Sequence, residues 1–223
     1  MKKKLYRQVI RLFSLLLIAT SFVACDAHRD FPDTAMKPGH ILCTDGKVLS
    51  ITDFEQSGKQ PIAVVFHINH DENTEGNGHA VYLWDLEPLA FAYSIGVKQN
   101  TSADITALDG FENTFALLDA RETSSPLAEK VFDLWRYGQS AYIPSVAQMR
   151  LLYQVKEQIN PIIKMCGGDT ISIEADECWH WTSTEVNDQQ TAKAWLFSMS
   201  SGSIHDTPKT QAHKVRPIIT INN

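Results

Sequence analysis

Three histidines lie close enough in the sequence to be considered as metal ligands: His67, His70 and His79. Neutral imidazole nitrogens bind zinc and copper, so three of them around one hairpin could hold such an ion. His67 and His70 are three residues apart where a strand runs into a loop, and their side chains are expected to face opposite ways. No acid or cysteine completes a diagnostic ligand spacing. The sequence therefore predicts no metal site and no cofactor.

The segment Asp71–Gly76 begins like a calcium-binding loop. Oxygen-bearing side chains occupy its first, third and fifth positions, and glycine occupies the sixth. The twelfth position, where a bidentate glutamate is needed, is Tyr82, and no flanking helices are expected. We interpret the segment as a solvated acidic hairpin tip, and any metal in the 70–79 loop stays an open question.

The N-terminus has the pattern of a secretory signal peptide, with a basic region before an apolar run over residues 12–24. At about 1.5 Å per residue this run spans about 20 Å, less than the ~30 Å hydrocarbon core of a membrane. Phe22-Val23-Ala24-Cys25 resembles the bacterial lipobox, in which the cysteine is acylated and the chain is cut before it. We therefore expect residues 1–24 to be removed, Cys25 to carry the lipid, and residues 25–38 to form a tether. The alternative is a soluble secreted protein that happens to be cut near a cysteine.

The charge distribution argues against a nucleic-acid partner. The formal net charge is −6, but the first 24 residues carry five basic and no acidic side chains. The rest of the chain therefore has a net charge of −11. Phosphate binding needs clustered positive charge, which this acidic body does not provide.

Cys43, Cys166 and Cys178 remain when Cys25 is set aside, and an odd number leaves at least one thiol unpaired. Cys166 and Cys178 are candidates for a disulfide, which would contribute ~3 kcal/mol in the chain-entropy model. The alternative is three buried thiols. No nucleophile, metalloprotease or phosphate-loop motif is present, so the sequence predicts no catalytic residues and no enzyme.

Apolar patterns predict the elements that position these residues. The β-branched run at residues 61–68 is the strongest strand, and residues 79–84 are its expected partner. Ser125 and Pro126 favour a helix over residues 126–137. Further elements are expected where polar turn residues separate apolar segments: a short helix at 113–120 and strands at 170–174, 178–183, 193–199 and 214–221.

Ser145 and Gln148 have the spacing of a capping box, which predicts the start of a longer helix that ends or kinks at Pro161. Strands, then helices, then strands along the chain indicate an α+β fold with twisted antiparallel sheets and two or three helices. We expect a single domain over residues 39–223.

Several segments together resemble the Legionella collagen-like protein C-terminal domain family, which occurs in bacterial surface lipoproteins and has the C-type-lectin-like fold. The matching motifs are Tyr142–Ser145, His180–Glu185, Ala194-Trp195 before Gly202, and Lys214–Pro217. Asp45-Gly46, Val64–Phe66, Gly78-His79 and Asn113-Thr114 are also similar to versions of this domain. The chain departs from the family pattern at Ala141, Ala147-Gln148 and His180.

The resemblance implies a C-type-lectin-like scaffold that can host many functions. In C-type lectins, acid and amide side chains of a loop bind calcium and sugar hydroxyls. The corresponding loop contains Glu185, Asn187 and Asp188 but lacks the usual lectin motifs, so calcium-dependent sugar binding in its usual form is not expected. We expect these residues to form the surface that binds a protein or glycan, and the alternative is a plain surface turn. On the same scaffold, Arg216 is expected to pair with an acid inside the fold.

The sequence favours a lipid-anchored outer-membrane protein, facing the periplasm or the exterior, whose lectin-like domain binds a protein or glycan. A structural subunit of a surface assembly and a divergent enzyme on the scaffold of formylglycine-generating enzymes are the alternatives. Membrane attachment is expected through the N-terminal lipid.

Overall fold

The computed structural model describes residues 35–70, 76–134 and 141–222. The expected signal peptide, the expected lipid attachment site Cys25, most of the expected tether and residues 71–75 lie outside the described residues. Met36–Asn223 form one compact unit. The expected boundaries at residues 24, 38 and 39 stay predictions.

The described residues form two sheets. The first is antiparallel throughout and has the strand order β2-β1-β3-β4-β11-β6; the second has the order β5-β10-β7-β8-β9 and contains one parallel pair, β10 with β7. The strands are β1 Ile41–Cys43, β2 Val48–Leu49, β3 Pro61–Ile68, β4 Gly78–Tyr82, β5 Leu86–Ala90, β6 Ala141–Tyr142, β7 Trp179–Glu185, β8 Lys193–Ser198, β9 Ile204–Pro208, β10 Ala212–Val215 and β11 Ile218–Ile221. The predicted α+β class with mostly antiparallel sheets is confirmed.

The described residues contain four helices: α1 Ile51–Ser57, α2 Gly110–Asp119, α3 Pro126–Phe132 and α4 Val146–Met165. The sequence predicted two or three, and α1 is the one that it missed. Ser50 caps α1 by accepting a 3.1 Å hydrogen bond from the Asp53 amide, and Gly58 ends it with φ 63°. No residue of α1 is buried, so it has no apolar stripe by which a pattern could reveal it.

Helix α4 begins where the capping box predicted. The Gln148 amide donates to Ser145 Oγ at 3.3 Å, and the Ser145 amide donates to Gln148 Oε1 at 2.9 Å. The helix does not end at Pro161 but continues to Met165. Glu157, whose carbonyl loses its partner N–H, is exposed like Pro161, so water can satisfy that carbonyl.

The expected strand at residues 170–174 is irregular backbone instead. The Asn160 side chain takes the hydrogen bonds that a neighbouring strand would make: the Ile171 amide donates to Asn160 Oδ1 at 2.8 Å, and Asn160 Nδ2 donates to the Ile171 carbonyl at 3.1 Å. Ile171 is buried against α4 as part of a core cluster, whereas Ile173 is half-exposed. The segment is thus fastened to a helix rather than to a sheet.

The first sheet is buried on both faces, which explains why β3 reads as an almost continuous apolar run. Val64, Phe66 and Val81 face α4 and share a cluster with Met149 and Leu152. The opposite face packs against the second sheet and helices α2 and α3 in a separate cluster that includes Val65, Ala80, Leu117, Leu127 and Trp181.

Candidate functional site

Two of the three predicted ligand-binding residues lie together on the surface. Asn187 and Asp188 are exposed in the turn between β7 and β8. Asn187 lines a cleft of about 500 Å³ with Val186, Trp195 and the facing segment 102–105. The cleft therefore combines an aromatic ring with amide, hydroxyl and carboxylate groups.

The backbone around this cleft is strained. Three non-glycine residues in the described part of the chain have positive φ angles: Asn100 at 62°, Ala103 at 55° and Asp188 at 61°. Asn and Asp tolerate the left-handed region, whereas alanine pays a steric cost there. Such residues persist only when neighbouring contacts hold them, and they concentrate at functional sites.

Glu185, the third predicted ligand residue, is inside the protein with none of its side chain exposed. Its Oε1 accepts from the Gln99 amide at 3.0 Å, and its Oε2 accepts from the Thr101 amide at 3.2 Å and Thr101 Oγ1 at 3.0 Å. Lys209 Nζ donates to Oε1 as well. This placement corrects the expectation that Glu185 contacts a ligand: the carboxylate is used internally, and it holds residues 99–101, which lead into the 102–105 wall of the cleft.

Lys209, the counter-charge of Glu185, was not identified from the sequence. Its side chain is fully buried, and burial lowers its pKa although Glu185 acts in the opposite direction. Lys209 lies 24 residues after Glu185. No spacing rule joins a strand end to a turn at that distance, so only the fold brings the two groups together.

The two central tryptophans differ in their surroundings. Trp181 is fully buried, its indole N–H donates to the Leu89 carbonyl at 3.0 Å, and it contacts Phe91 edge-on. Trp195 is partly exposed in the cleft, and its Nε1 is buried without a hydrogen-bond partner among the described residues. Trp181 is thus part of the core, whereas Trp195 also contributes surface to the cleft.

The acid that pairs with Arg216 is Asp85. Arg216 Nε donates to Asp85 Oδ1 at 2.5 Å, and its other nitrogens donate to the Tyr82 and Asp169 carbonyls at 3.0–3.1 Å. His180 Nε2 lies 3.2 Å from the same carboxylate oxygen. Asp85 lies between β4 and β5 and Arg216 between β10 and β11, so the pair joins two of the places where the chain passes between the sheets.

This environment keeps Asp85 ionised. Burial alone would raise the pKa of Asp85, but the hydrogen bond with His180 and the charge of Arg216 outweigh burial and lower the pKa to about 2. The group is a structural anion with little remaining capacity to act as a proton donor or acceptor near neutral pH.

The histidines do not form a metal site. The rings of His67 and His79 are stacked with centroids 5.8 Å apart and planes 17° apart. Within residues 35–70, 76–134 and 141–222, no three His, Cys, Asp or Glu residues are grouped so that they could hold a metal ion.

The burial of His79 predicts that the protein loses stability in acid. It is 3% exposed, its Nδ1 is 3.1 Å from the Tyr142 hydroxyl, and its Nε2 has no partner among the described residues. Burial, followed by the charge of His67, lowers the pKa of His79 from 6.5 to about 4. A group whose folded-state pKa is depressed contributes stability above its unfolded pKa and loses that contribution as pH falls. We expect about 3 kcal/mol of the free energy of unfolding to be lost between pH 6.5 and 4.

Urea denaturation at a series of pH values measures this effect. His79→Leu should remove most of the pH dependence in that window, and exposed His70→Gln should leave it unchanged. Burial also lowers the pKa of His67, so the free energy of unfolding of His79→Leu should keep a small dependence on pH. Equal slopes in the His79→Leu variant and the unmodified protein would contradict the assignment.

The candidate disulfide is not formed. Cys43, Cys166 and Cys178 are all free thiols. Cys178 is directed toward β8, with its Sγ 3.5 Å from Ser198 Oγ, whereas Cys166 caps the end of α4. The sequence separation suited a bridge, but the Cys178 thiol contacts Ser198 instead, and both cysteines pack as free thiols at the core cluster that includes α4. Burial raises the pKa of Cys166 to about 11, which makes its thiolate scarce.

No helix among the described residues combines the length and apolar character needed to cross a membrane. No protein-family model matches the chain, and no curated protein matches it. Its structure is similar to that of a fimbrial protein from Bacteroides ovatus ATCC 8483, with a TM-score of 0.66 and 16% sequence identity. The similarity covers 83% of this chain and 49% of that protein, so the chain spans about half its length. At this identity the likeness establishes a shared α+β fold.

Proposed function

We propose that the chain is a lipid-anchored, non-enzymatic subunit of a bacterial surface assembly. The observation that carries the proposal is the structural likeness to a fimbrial protein over 83% of the chain. The lectin-like resemblance of the sequence points to surface lipoproteins independently of that likeness. Both lines favour a protein that acts outside the cytoplasm.

The chemistry of the described residues also supports a structural role. The two most deeply buried carboxylates, Glu185 and Asp85, are each bonded to a basic side chain and to further internal groups. Groups held in this way contact other parts of the same chain and are not open to a substrate from outside. A rigid domain of this kind suits a component that transmits load or presents a surface.

The anchor in this proposal is Cys25. A multiply acylated cysteine holds a protein stably in a membrane, because each buried CH₂ contributes about 0.8 kcal/mol. The segment before the first described residues is long enough to separate the domain from the lipid surface, since extended chain spans about 3.3 Å per residue. We place the protein in the outer membrane.

The test uses the full chain in the bacterium that makes it. Cells fed labelled palmitate are sheared, and the released material is separated by size. We expect the chain to carry the label and to travel with large sheared assemblies. Cys25→Ala should lose the label and leave the cell surface, whereas Cys166→Ser, a matched change at a partly exposed thiol, should behave like the unmodified chain.

A chain that is absent from the sheared material and monomeric after mild extraction would refute the assembly role. A label that persists in Cys25→Ala would refute the anchor. The two results are independent, so either half of the proposal can fail alone.

A second candidate function is recognition of a protein or glycan at the cleft of Asn187 and Trp195. The positive φ angle of Ala103, which lines that cleft, and that of Asp188, next to the lining residue Asn187, favour it. Glycan and protein arrays probed with the full chain in detergent should then give specific hits that Asn187→Ala weakens at least tenfold. Exposed Gln189→Ala, in the same turn, should not weaken them. A blank array would count against this function.

A further inference from the structure

The most enclosed set of reactive side chains lies beneath the cleft and consists of Lys209, Gln99 and Glu185. All three are fully buried. Lys209 Nζ is 3.3 Å from Gln99 Oε1 and donates to Glu185 Oε1. The Lys209 amine thus contacts both a carboxamide and a carboxylate in a place that water does not reach.

The Gln99 carboxamide is held in position at both its oxygen and its nitrogen. Gln99 Oε1 faces Lys209, and Gln99 Nε2 donates to the Thr123 carbonyl at 3.3 Å. The contact between Nζ and Oε1 is longer than the usual 2.7–2.9 Å of a charge-assisted hydrogen bond. Lys209 Nζ therefore makes only a long hydrogen bond to the carbonyl oxygen of Gln99.

The surroundings of Lys209 favour the neutral form of its amine. The Nζ of Lys209 lies 5.4 Å from the centre of the Phe91 ring, and burial lowers the pKa of this lysine. Desolvation is a general way in which proteins turn a lysine into a nucleophile. Glu185 is within reach to accept the proton that the ammonium group must lose.

We propose that Lys209 and Gln99 form an intramolecular isopeptide bond, with Glu185 transferring the protons. Lys209 gives one proton to Glu185, and the neutral Nζ attacks Gln99 Cδ. The Nζ–Cδ bond forms and the Cδ–Nε2 bond breaks. Glu185 delivers its proton to Nε2, which also takes up the second Nζ proton and leaves as an ammonium ion. No oxidant or other reactant is consumed, and Glu185 ends as it began.

The contact between Lys209 and Gln99 accounts for most of the rate enhancement that the reaction needs. Groups held in contact react as if at very high effective concentration, so amide exchange that is negligible between free side chains becomes feasible in a fixed site. Glu185 remains hydrogen-bonded after the reaction, because the Gln99 amide and both Thr101 donors still face it. The new bond would join the segment that leads into the cleft wall to the turn between β9 and β10. The inference does not depend on the proposed assembly role.

Peptide mass spectrometry of the purified full chain tests the bond without any variant. After denaturation and trypsin digestion, residues 99–121 and 194–214 should be recovered joined, lighter by one ammonia than their sum and uncut at Lys209. Recovery of residues 194–209 and 210–214 as separate peptides would overturn the proposal. So would a join between Lys209 and the peptide of residues 165–193, lighter by one water, because that product is a Lys209–Glu185 amide.

Two variants identify the groups responsible. Gln99→Met should abolish the joined peptide, and exposed Gln211→Met, in the neighbouring turn, should leave it unchanged. Glu185→Gln should reduce the joined fraction at least tenfold because no carboxylate remains to move the protons. Circular dichroism establishes that each variant is folded, and an undiminished join in folded Glu185→Gln would overturn the role of Glu185.

Discussion

Replacing Arg216 with methionine should lower the free energy of unfolding by about 3–5 kcal/mol, because it leaves a buried anion without its counter-charge. Arg216 is 1% exposed, and its partner Asp85 is largely buried. The substitution also removes the donors of the Tyr82 and Asp169 carbonyls. Asp85 would keep only His180 and, at 4.0 Å, Lys214.

Urea denaturation followed by tryptophan fluorescence measures the effect. Exposed Arg121→Met is the matched control and should change the free energy of unfolding by less than about 0.5 kcal/mol. Arg216→Lys should recover only part of the loss, because lysine keeps the charge but cannot reproduce the planar fork that binds the Asp169 carbonyl. A loss in Arg216→Met no larger than in Arg121→Met would contradict the assignment.

The pH dependence gives a second readout for the same pair. The folded-state pKa of Asp85 is about 2, below its ordinary 3.8, so its contribution is complete above pH 3.8 and is lost as pH falls toward 2. Without Arg216 the carboxyl loses its main favourable charge, and the slope of stability between pH 4 and 2 should flatten. His79 acts at higher pH, so the two effects are separable.

The sequence predicted local structure where the signal itself is local. The bounds of β3 and the start of α4 agree with the structure, since an apolar run and a capping box act over a few neighbouring residues. Residues 170–174 show the limit of this reasoning. Their alternating pattern fits a strand, but the Asn160 side chain takes their backbone hydrogen bonds, and nothing in the pattern reveals a partner from a helix.

The candidate site was only half predictable for the same reason. Exposure of Asn187 and Asp188 follows from their polarity and turn position. Glu185 is just as polar, yet it is buried because Lys209 and the backbone of the 99–101 segment surround it. Likewise, the sequence indicated that Arg216 has an acidic partner but not that it is Asp85, which lies 131 residues earlier. Long-range pairing depends on the assembled sheets.

The second large effect concerns the Glu185–Lys209 pair. Glu185→Gln removes the charge opposite a fully buried lysine while nearly preserving the shape of the side chain. The folded protein can then only expose the ammonium group or deprotonate it. Deprotonation at pH 7 of a lysine with an ordinary pKa of 10.5 costs about 5 kcal/mol, which sets the upper limit of the expected destabilisation.

The comparison should be made in a background that carries Gln99→Met, so that Lys209 is a free amine with and without Glu185. The loss should shrink as pH rises from 7 to 10, because a depressed folded-state pKa favours the neutral lysine and the unfolded chain then also loses its proton. A packing defect would give a loss that does not depend on pH. Exposed Glu157→Gln serves as the control and should have little effect at either pH. A loss of unfolding free energy in Glu185→Gln that does not depend on pH would show that side-chain shape, not the buried charge pair, holds residues 99–101 in place.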